Sequence, residues 1–459
     1  MNKSTLALAI VAGIVGLPSV QQASAKGFLE DSKASLTLRN FYFNQDNRSG
    51  TLAERQKHTD IPTKTEEWGQ GFILNYTSGY TEGTVGVGVD AVGLLGVKLD
   101  SGSTVSKAGR SRNPGQLFPQ ESDGSAVDEF SYLGLTGKVR LSKTEARLGT
   151  LQPKLPVLVF NDGRLLPQTF EGGQITSNEI SNLTLIGGQI EHARDRNSSN
   201  AGGLSVAGAN DPRTGQFSNK FYYGGADYRI GKNLLLQYYY GNLKEFYEQH
   251  FLGLNHTLAL PLGSLVTDLR YFHSDSDGKN ASAAGRAEGY RISDARLASD
   301  PHKGEVDSDL WSAQFTWKVG GHAIGLGYQE NNGDSELPRL NQGGGASDYS
   351  IAGRMIGTFM RPDERTWLGT YNYDFAALGV PGLTFALSYN KADRIAIAGT
   401  SRDGSEWERD LRLGYVIQSG VLKGLGFAWL NATLRSSDIP AQRDLDENRV
   451  LVSYSLPLF

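Results

Sequence analysis

The chain contains no cysteine, which excludes both a disulfide framework and a thiolate metal site. Downstream of residue 25 there is no run of about 18 apolar residues, so a helical membrane protein is excluded as well. Phosphate loops, dinucleotide fingerprints and zinc spacings are missing, and the seven histidines are scattered. No cofactor and no metal are therefore expected. A net charge of −4 gives no bulk attraction to nucleic acid, which is not expected as a partner. No linker, charge block or shift in composition divides the chain, so 26–459 reads as a single domain.

What is present begins with an export signal. Lys3 supplies a positive start, an apolar stretch covers 6–17, and Ala23-Ser24-Ala25 gives a small-residue cleavage site. Residues 1–25 are expected to be a signal peptide, with the mature chain starting at Lys26 and acting outside the cytoplasm. A buried N-terminal helix is the alternative. The 57 glycines and 20 tyrosines suit turns, closely approaching strands and interfacial aromatic belts.

The dominant pattern is alternation with period two. Tyr222, Gly224, Ala226, Tyr228 and Ile230 fall on one face, and Tyr223, Gly225, Asp227 and Arg229 on the other. A tight Gly231-Lys232-Asn233 turn follows, after which Leu234, Leu236, Tyr238 and Tyr240 resume the apolar face. Connections alternate between such turns and long polar segments at 44–68, 93–126, 275–306 and 331–365. That is how transmembrane barrels are built. The pattern predicts strands at 34–43, 68–77, 83–92, 127–141, 144–151, 171–177, 183–193, 219–230 and 233–242. It continues at 249–260, 264–274, 308–319, 321–330, 366–376, 382–391, 407–417, 424–434 and 447–458. The expected fold is thus all-β: an antiparallel transmembrane β-barrel of 18 strands with short periplasmic turns, long extracellular loops and loops folded inward to narrow the pore. Charge on the lipid side costs on the order of 2–4 kcal/mol at the midplane, so the face of Asp227 and Arg229 should be the lumen. A soluble propeller or sandwich would instead bury the apolar face. Val450, Val452, Tyr454, Leu456 and Leu458 alternate ahead of Phe459, although Pro457 interrupts them; an aromatic after an amphipathic strand resembles a signal for the outer-membrane assembly machinery.

Several segments carry a family resemblance: GFLEDSKASLTLRNFYFN, GVDAVGLLGVKLDSGS, VRLSKTEARLGTLQP, RLLPQTFEG, LGVPGLTFALSYNKAD and YVIQSGVLKGL. Spread over nearly the whole mature chain, they resemble the OprD-like outer-membrane carboxylate channels of pseudomonads. The resemblance implies an 18-stranded barrel, an eyelet formed by inward loops, and a ladder of basic side chains that leads carboxylates through it. It implies passive uptake of small carboxylates, with cyclic or aromatic monocarboxylates expected and basic amino acids as the alternative branch. Small carboxylate solutes, outer-membrane lipid and lipopolysaccharide are the expected partners, and the protein is expected as a monomer or weak trimer.

Conduction needs sites that attract a solute without holding it, and guanidinium forks can hand a carboxylate onward. The predicted strands put Arg39, Arg140, Arg147, Arg229, Arg270, Lys318, Arg412 and Arg449 on the lumen face. These are the ladder candidates; the alternative is that they pair with lumen acids and brace the wall. Replacing Arg229, Arg270 and Arg412 is the test suggested at this level. The segment 152–170 is unusually apolar for a loop, with Leu155, Val157, Val159, Phe160, Leu165 and Leu166, as expected if it packs inside the barrel. Its tip carries Asp162 and Arg164. The second eyelet candidate, 331–365, contains Asp348, Tyr349 and Arg354, and the resemblance makes Asp348 its acidic member. An ordinary extracellular loop is the alternative for both.

Other signals are weaker. Asp275-Ser276-Asp277-Gly278-Lys279-Asn280 starts like a calcium loop but lacks the bidentate glutamate. An outer-membrane hydrolase would need a nucleophile and base at the rim, and His192 and His250 sit near strand ends without a matching constellation. An adhesin barrel would have a lumen without organised charge.

Overall fold

The computed structural model describes residues 27–48, 64–102, 114–207, 209, 216–340, 349–439 and 444–459. The expected signal peptide and Asp348 lie outside them. Eighteen barrel strands are found among the described residues. The first six are β1 (Lys33–Asn47), β2 (Lys64–Thr77), β3 (Val85–Ser101), β4 (Glu129–Leu141), β5 (Thr144–Leu151) and β6 (Thr169–Ser177). Next come β7 (Leu183–Arg194), β8 (Phe221–Ile230), β9 (Leu234–Leu243), β10 (Tyr247–Ala259), β11 (Ser264–Ser276) and β12 (Asp307–Val319). The circuit ends with β13 (His322–Asn332), β14 (Arg365–Asp374), β15 (Leu383–Ile395), β16 (Gly404–Val416), β17 (Gly426–Ser437) and β18 (Leu445–Pro457).

Each strand pairs antiparallel with its sequence neighbours. The barrel closes where β1 meets β18, with Arg39 opposite Ser453 and Phe43 opposite Arg449. Closure leaves no unpaired edge, which lipid would not tolerate. Beyond Pro457 the chain stays on the wall: Leu458 N–H donates to the Ala34 carbonyl at 2.8 Å, and Phe459 packs edge-on to Tyr76.

The predicted strands overlap the observed ones throughout, but several run further than expected at the extracellular end. β3 continues to Ser101, not 92, so 93–101 is strand and not loop. Outside the membrane a strand has water on its outer face, so polar residues such as Gln45 and Asp46 on β1 no longer mark its end. In β3 the glycines Gly93 and Gly96 resemble a turn, yet Leu95, Val97 and Leu99 keep the alternation. A bulge opposite Trp68 and Gly69 then carries the register outward.

The alternation settles which face is which. Leu133, Leu148, Leu326 and Trp367 are each 65% exposed or more, whereas their strand neighbours Phe130 and Leu368 are buried. A soluble sandwich would reverse this. Buried side chains form three clusters inside the barrel, where inner-face aromatics such as Phe41, Phe221 and Phe272 meet the loops that fold into the lumen.

Candidate selectivity constriction

The segment between β5 and β6 folds into the lumen. Its first part turns on itself, pairing Lys154–Leu155 with Leu158–Val159. Leu155, Val157 and Leu158 pack against Ile190, Phe221, Tyr223 and Tyr239 on β7–β9. Leu165 and Leu166 pack against Phe41, Phe43 and Ile73 on β1 and β2. The loop therefore bridges two separate sectors of the wall. Each fully buried leucine contributes about 1.5–3 kcal/mol, enough to hold an irregular segment inside the pore. Its seat on β2 is made of glycine. A Cβ on Gly69 would lie 2.8 Å from a Leu165 methyl and 2.5 Å from the Phe118 ring; one on Gly71 would lie 3.0 Å from the Leu165 carbonyl.

Wall charges clip this loop through its backbone and its tip. Arg39 donates to both carboxylate oxygens of Asp162, at 2.7 and 3.2 Å, and to the Arg164 carbonyl at 2.9 Å. Arg449 is 8% exposed; it donates to Glu447 at 2.5 Å, to the Gly163 carbonyl at 3.4 Å and to the Met355 carbonyl at 2.9 Å. Arg449 thus touches both inward loops at once. Arg164 turns back over the Phe43 ring, 4.7 Å from its centroid, and donates to Gln116.

The second inward segment, 349–364, is clipped the same way. Glu408 accepts the Ile356 and Gly357 N–H groups at 2.9 and 2.6 Å, and Asp410 accepts that of Met355 at 3.3 Å. Asn390 donates to the Ala352 carbonyl at 2.6 Å. Arg270 pairs with Asp268 and donates to the Tyr349 carbonyl at 3.0 Å. The Tyr349 hydroxyl in turn receives the Val159 N–H at 3.0 Å, tying the two loops together. A third segment hangs from Glu67, which accepts the Gln116 and Leu117 N–H groups at 2.6 and 2.7 Å.

All eight ladder candidates stand on the inner face, but they serve different ends. Arg39, Arg270 and Arg449 hold loops. Arg147 pairs with Glu145 and lies 3.7 Å from Asp90, and Arg140 covers the Tyr80 ring at 4.1 Å. Arg412 shares a cross-strand row with Arg449 through Leu430. The side chains of Arg229 and Lys318 have no polar partner among the described residues. Of the expected eyelet residues that are described, Asp162 is the most open, its side chain 44% exposed. Tyr349 is 2% exposed and acts as a strut, and Arg354 is folded onto the carbonyls of Ile351 and Gly353.

Sequence patterning missed several participants. Arg196 follows β7, and its guanidinium lies with that of Arg449 beside Gly163. Burial, with the neighbouring Arg449 charge, pushes the Arg164 guanidinium well down from its ordinary value and brings Arg196 to about 10. Arg196 thus remains a cation at neutral pH, and guanidinium groups in general keep their proton inside proteins. Arg39, Arg164, Arg196 and Arg449 therefore crowd one loop tip, faced by Asp162, Glu447 and Glu67. Four guanidinium groups and three carboxylates thus share one narrow space between low-dielectric walls, where charge is poorly screened. Lys138, buried beside Asp90 at 2.6 Å, was also missed; it alternates with Arg140 and was legible as a second cation on that face. Asp277 of the calcium-like segment accepts the Glu245 N–H and lies by Lys244, and His250 points outward onto Tyr238.

Comparison with known proteins gives a consistent result. Residues 26–458 match the family model described as outer membrane porin, OprD family. The chain is 37% identical over 439 residues to the porin-like protein GalP of Pseudomonas putida, covering 95% of each chain. It is similar to the crystal structure of Pseudomonas aeruginosa OccK8 (OprE), with 55% identity, a TM-score of 0.84 and coverage of 94% of this chain and 100% of that one. It is also similar to Pseudomonas aeruginosa OpdK crystallised with vanillate, at 36% identity, a TM-score of 0.80 and the same coverage.

Proposed function

This chain belongs to the OprD family of outer membrane porins, and from that premise we propose that it admits small monocarboxylates, cyclic and aromatic ones included, by passive diffusion. It is an outer-membrane channel for substrate uptake, and its relatives are porins, not enzymes. The observation that carries the finer reading is the crowding of Arg39, Arg164, Arg196 and Arg449 around the tip of the first inward loop. A solute carboxylate entering this narrow, poorly screened space can take the place of Asp162 on Arg39, where charge-assisted hydrogen bonds are strong. Arg229 and Lys318, with no partners of their own among the described residues, stand further toward the periplasmic turns and can receive the anion next. The vanillate held by OpdK, a substituted benzoate, is the size and charge this path would accept.

The test is single-channel recording of the refolded mature protein in a planar bilayer, with benzoate, vanillate and arginine added in turn. Transient blocks by the two acids and none by arginine are expected. Block by arginine alone would favour the basic amino-acid reading, for which the open carboxylate of Asp162 is the supporting feature. Replacing Arg229 and Lys318 by glutamine should weaken benzoate block while leaving both loops clipped; unchanged block would remove those two residues from the path.

A further inference from the structure

The outer face of the extracellular rim carries several lysines and arginines, and acids neutralise many of them, Arg48 beside Asp446 included. Lys64 lies 2.5 Å from Glu66, Arg365 2.9 Å from Glu330, and Arg435 2.9 Å from Asp446. Lys391 on β15 and Arg409 on β16 differ: neither has an acidic partner among the described residues. Their direction is fixed by their neighbours. Asn390, Ala392 and Glu408 are buried against the second inward loop, so 391 and 409 face the membrane side.

The register sets both cations in an aromatic frame. Lys391 stands between Trp367 and Trp407, and Arg409 stands between Tyr389 and Thr433. Tyr389 and Trp407 stack across the diagonal, with ring centroids 5.9 Å apart and planes 28° apart. Arg409 donates through one Nη to Asn431 at 2.9 Å and Thr433 at 3.1 Å, while its Nε finds no acceptor. Below it, Trp429 and Asn431 both donate to Asn448, at 3.2 and 3.1 Å. This is a polar, cationic patch inside the aromatic belt. Toward the periplasm it gives way to Leu387, Leu411 and Leu413.

We propose that this face binds the phosphorylated headgroup of an outer-leaflet glycolipid, with one phosphate shared by Lys391 and Arg409 and acyl chains lying along the leucines below. The occupant must be both anionic and lipid-anchored, because the cations sit at belt height with apolar wall directly beneath them. Guanidinium and ammonium together suit a phosphate oxygen set. A second copy of this chain fits less well. Of the outer-face acids it could bring to this height, Glu330 and Asp309 already hold Arg365 and His273, and Asp393 lies across from Arg365.

The test uses the full mature barrel in detergent, titrated with diphosphoryl lipid A and read by native mass spectrometry. The double variant Lys391→Gln/Arg409→Gln should retain lipid A about thirtyfold less well, since each of the two cations near a charged surface counts for about 1 kcal/mol. Arg435→Gln, whose cation is already neutralised, should bind like the parent. Dephosphorylated lipid A should bind the parent weakly, and excess inorganic phosphate should not displace the diphosphoryl form. Unchanged channel conductance and heat-modifiable gel mobility in the double variant would show that it is folded. Undiminished lipid A retention by that variant would overturn the proposal. So would displacement by inorganic phosphate, or loss of self-association with lipid binding intact.

Discussion

Arg39 closes on Asp162 with two contacts, 2.7 and 3.2 Å, so a cation of the wall and the acid of the loop tip neutralise one another in the resting pore. Separating them exposes what each contributes. Asp162→Asn removes the counter-charge and leaves Arg39 to the solute. The permeability ratio of chloride over potassium, from reversal potentials in a salt gradient, should rise about three- to tenfold, as expected for a charge a few ångströms from the path. Arg39→Gln should lower that ratio instead and release the tip, which would appear as added open-channel noise.

Arg449 is the bond that serves both inward loops. Arg449→Gln loses the links to Gly163 and Met355 and strands Glu447, which is fully buried, without its cation. Breaking a buried pair from one side costs about 3–5 kcal/mol. A lower midpoint of thermal unfolding and a larger, flickering conductance are expected. Adding Glu447→Gln should recover part of the stability but not the steady current, because the loop contacts stay lost.

Glu364, at the root of the second inward loop, accepts the Arg361 N–H at 2.8 Å; Arg361 in turn lies 2.7 Å from Glu406. Burial, and next to it the Glu406 charge, raise the Glu364 carboxyl to about 8. The group is thus neutral in the folded state at pH 7 but ionised when unfolded. A raised acid stabilises fully below its unfolded value near 4.5, and that contribution is lost as pH climbs through 8. Protection of the 349–364 amides, corrected for the intrinsic rise of exchange with pH, should therefore fall between about pH 5 and 8, and Glu364→Gln should flatten that dependence.

Gly69 leaves room where Phe118 and Leu165 meet the wall. Gly69→Val puts a branched side chain into that contact and should destabilise the barrel by about 1–3 kcal/mol or displace the loop. Single-channel conductance distinguishes the two: displacement changes the open level, whereas pure destabilisation lowers only the unfolding temperature.

Strand positions were legible because solvation imposes them. A lipid-facing charge is costly, so Tyr222 and Asp227 announce their faces without help from the rest of the chain. Legibility failed at 93–101 of β3, because Gly93 and Gly96 resemble a turn and a bulge then shifts the register. The inward packing of 152–168 was readable from its leucines. The division of labour among the arginines was not. Arg229 and Arg270 look alike by alternation, and only the tertiary placement of Tyr349 makes one of them a loop tie. Arg196 escaped because it follows the end of a strand, where no periodicity marks direction.

Most of the contacts that hold the inward loops are made to peptide groups: the carbonyls of Gly163, Tyr349, Ala352 and Met355, and the amides of Gln116, Leu117, Ile356 and Gly357. Every residue type supplies the carbonyl, and all but proline supply the amide. The wall therefore keeps its grip whatever side chains the loop tips carry, and a lineage of such barrels can exchange one nutrient for another by editing a handful of tip positions while the frame that seats them stays unchanged.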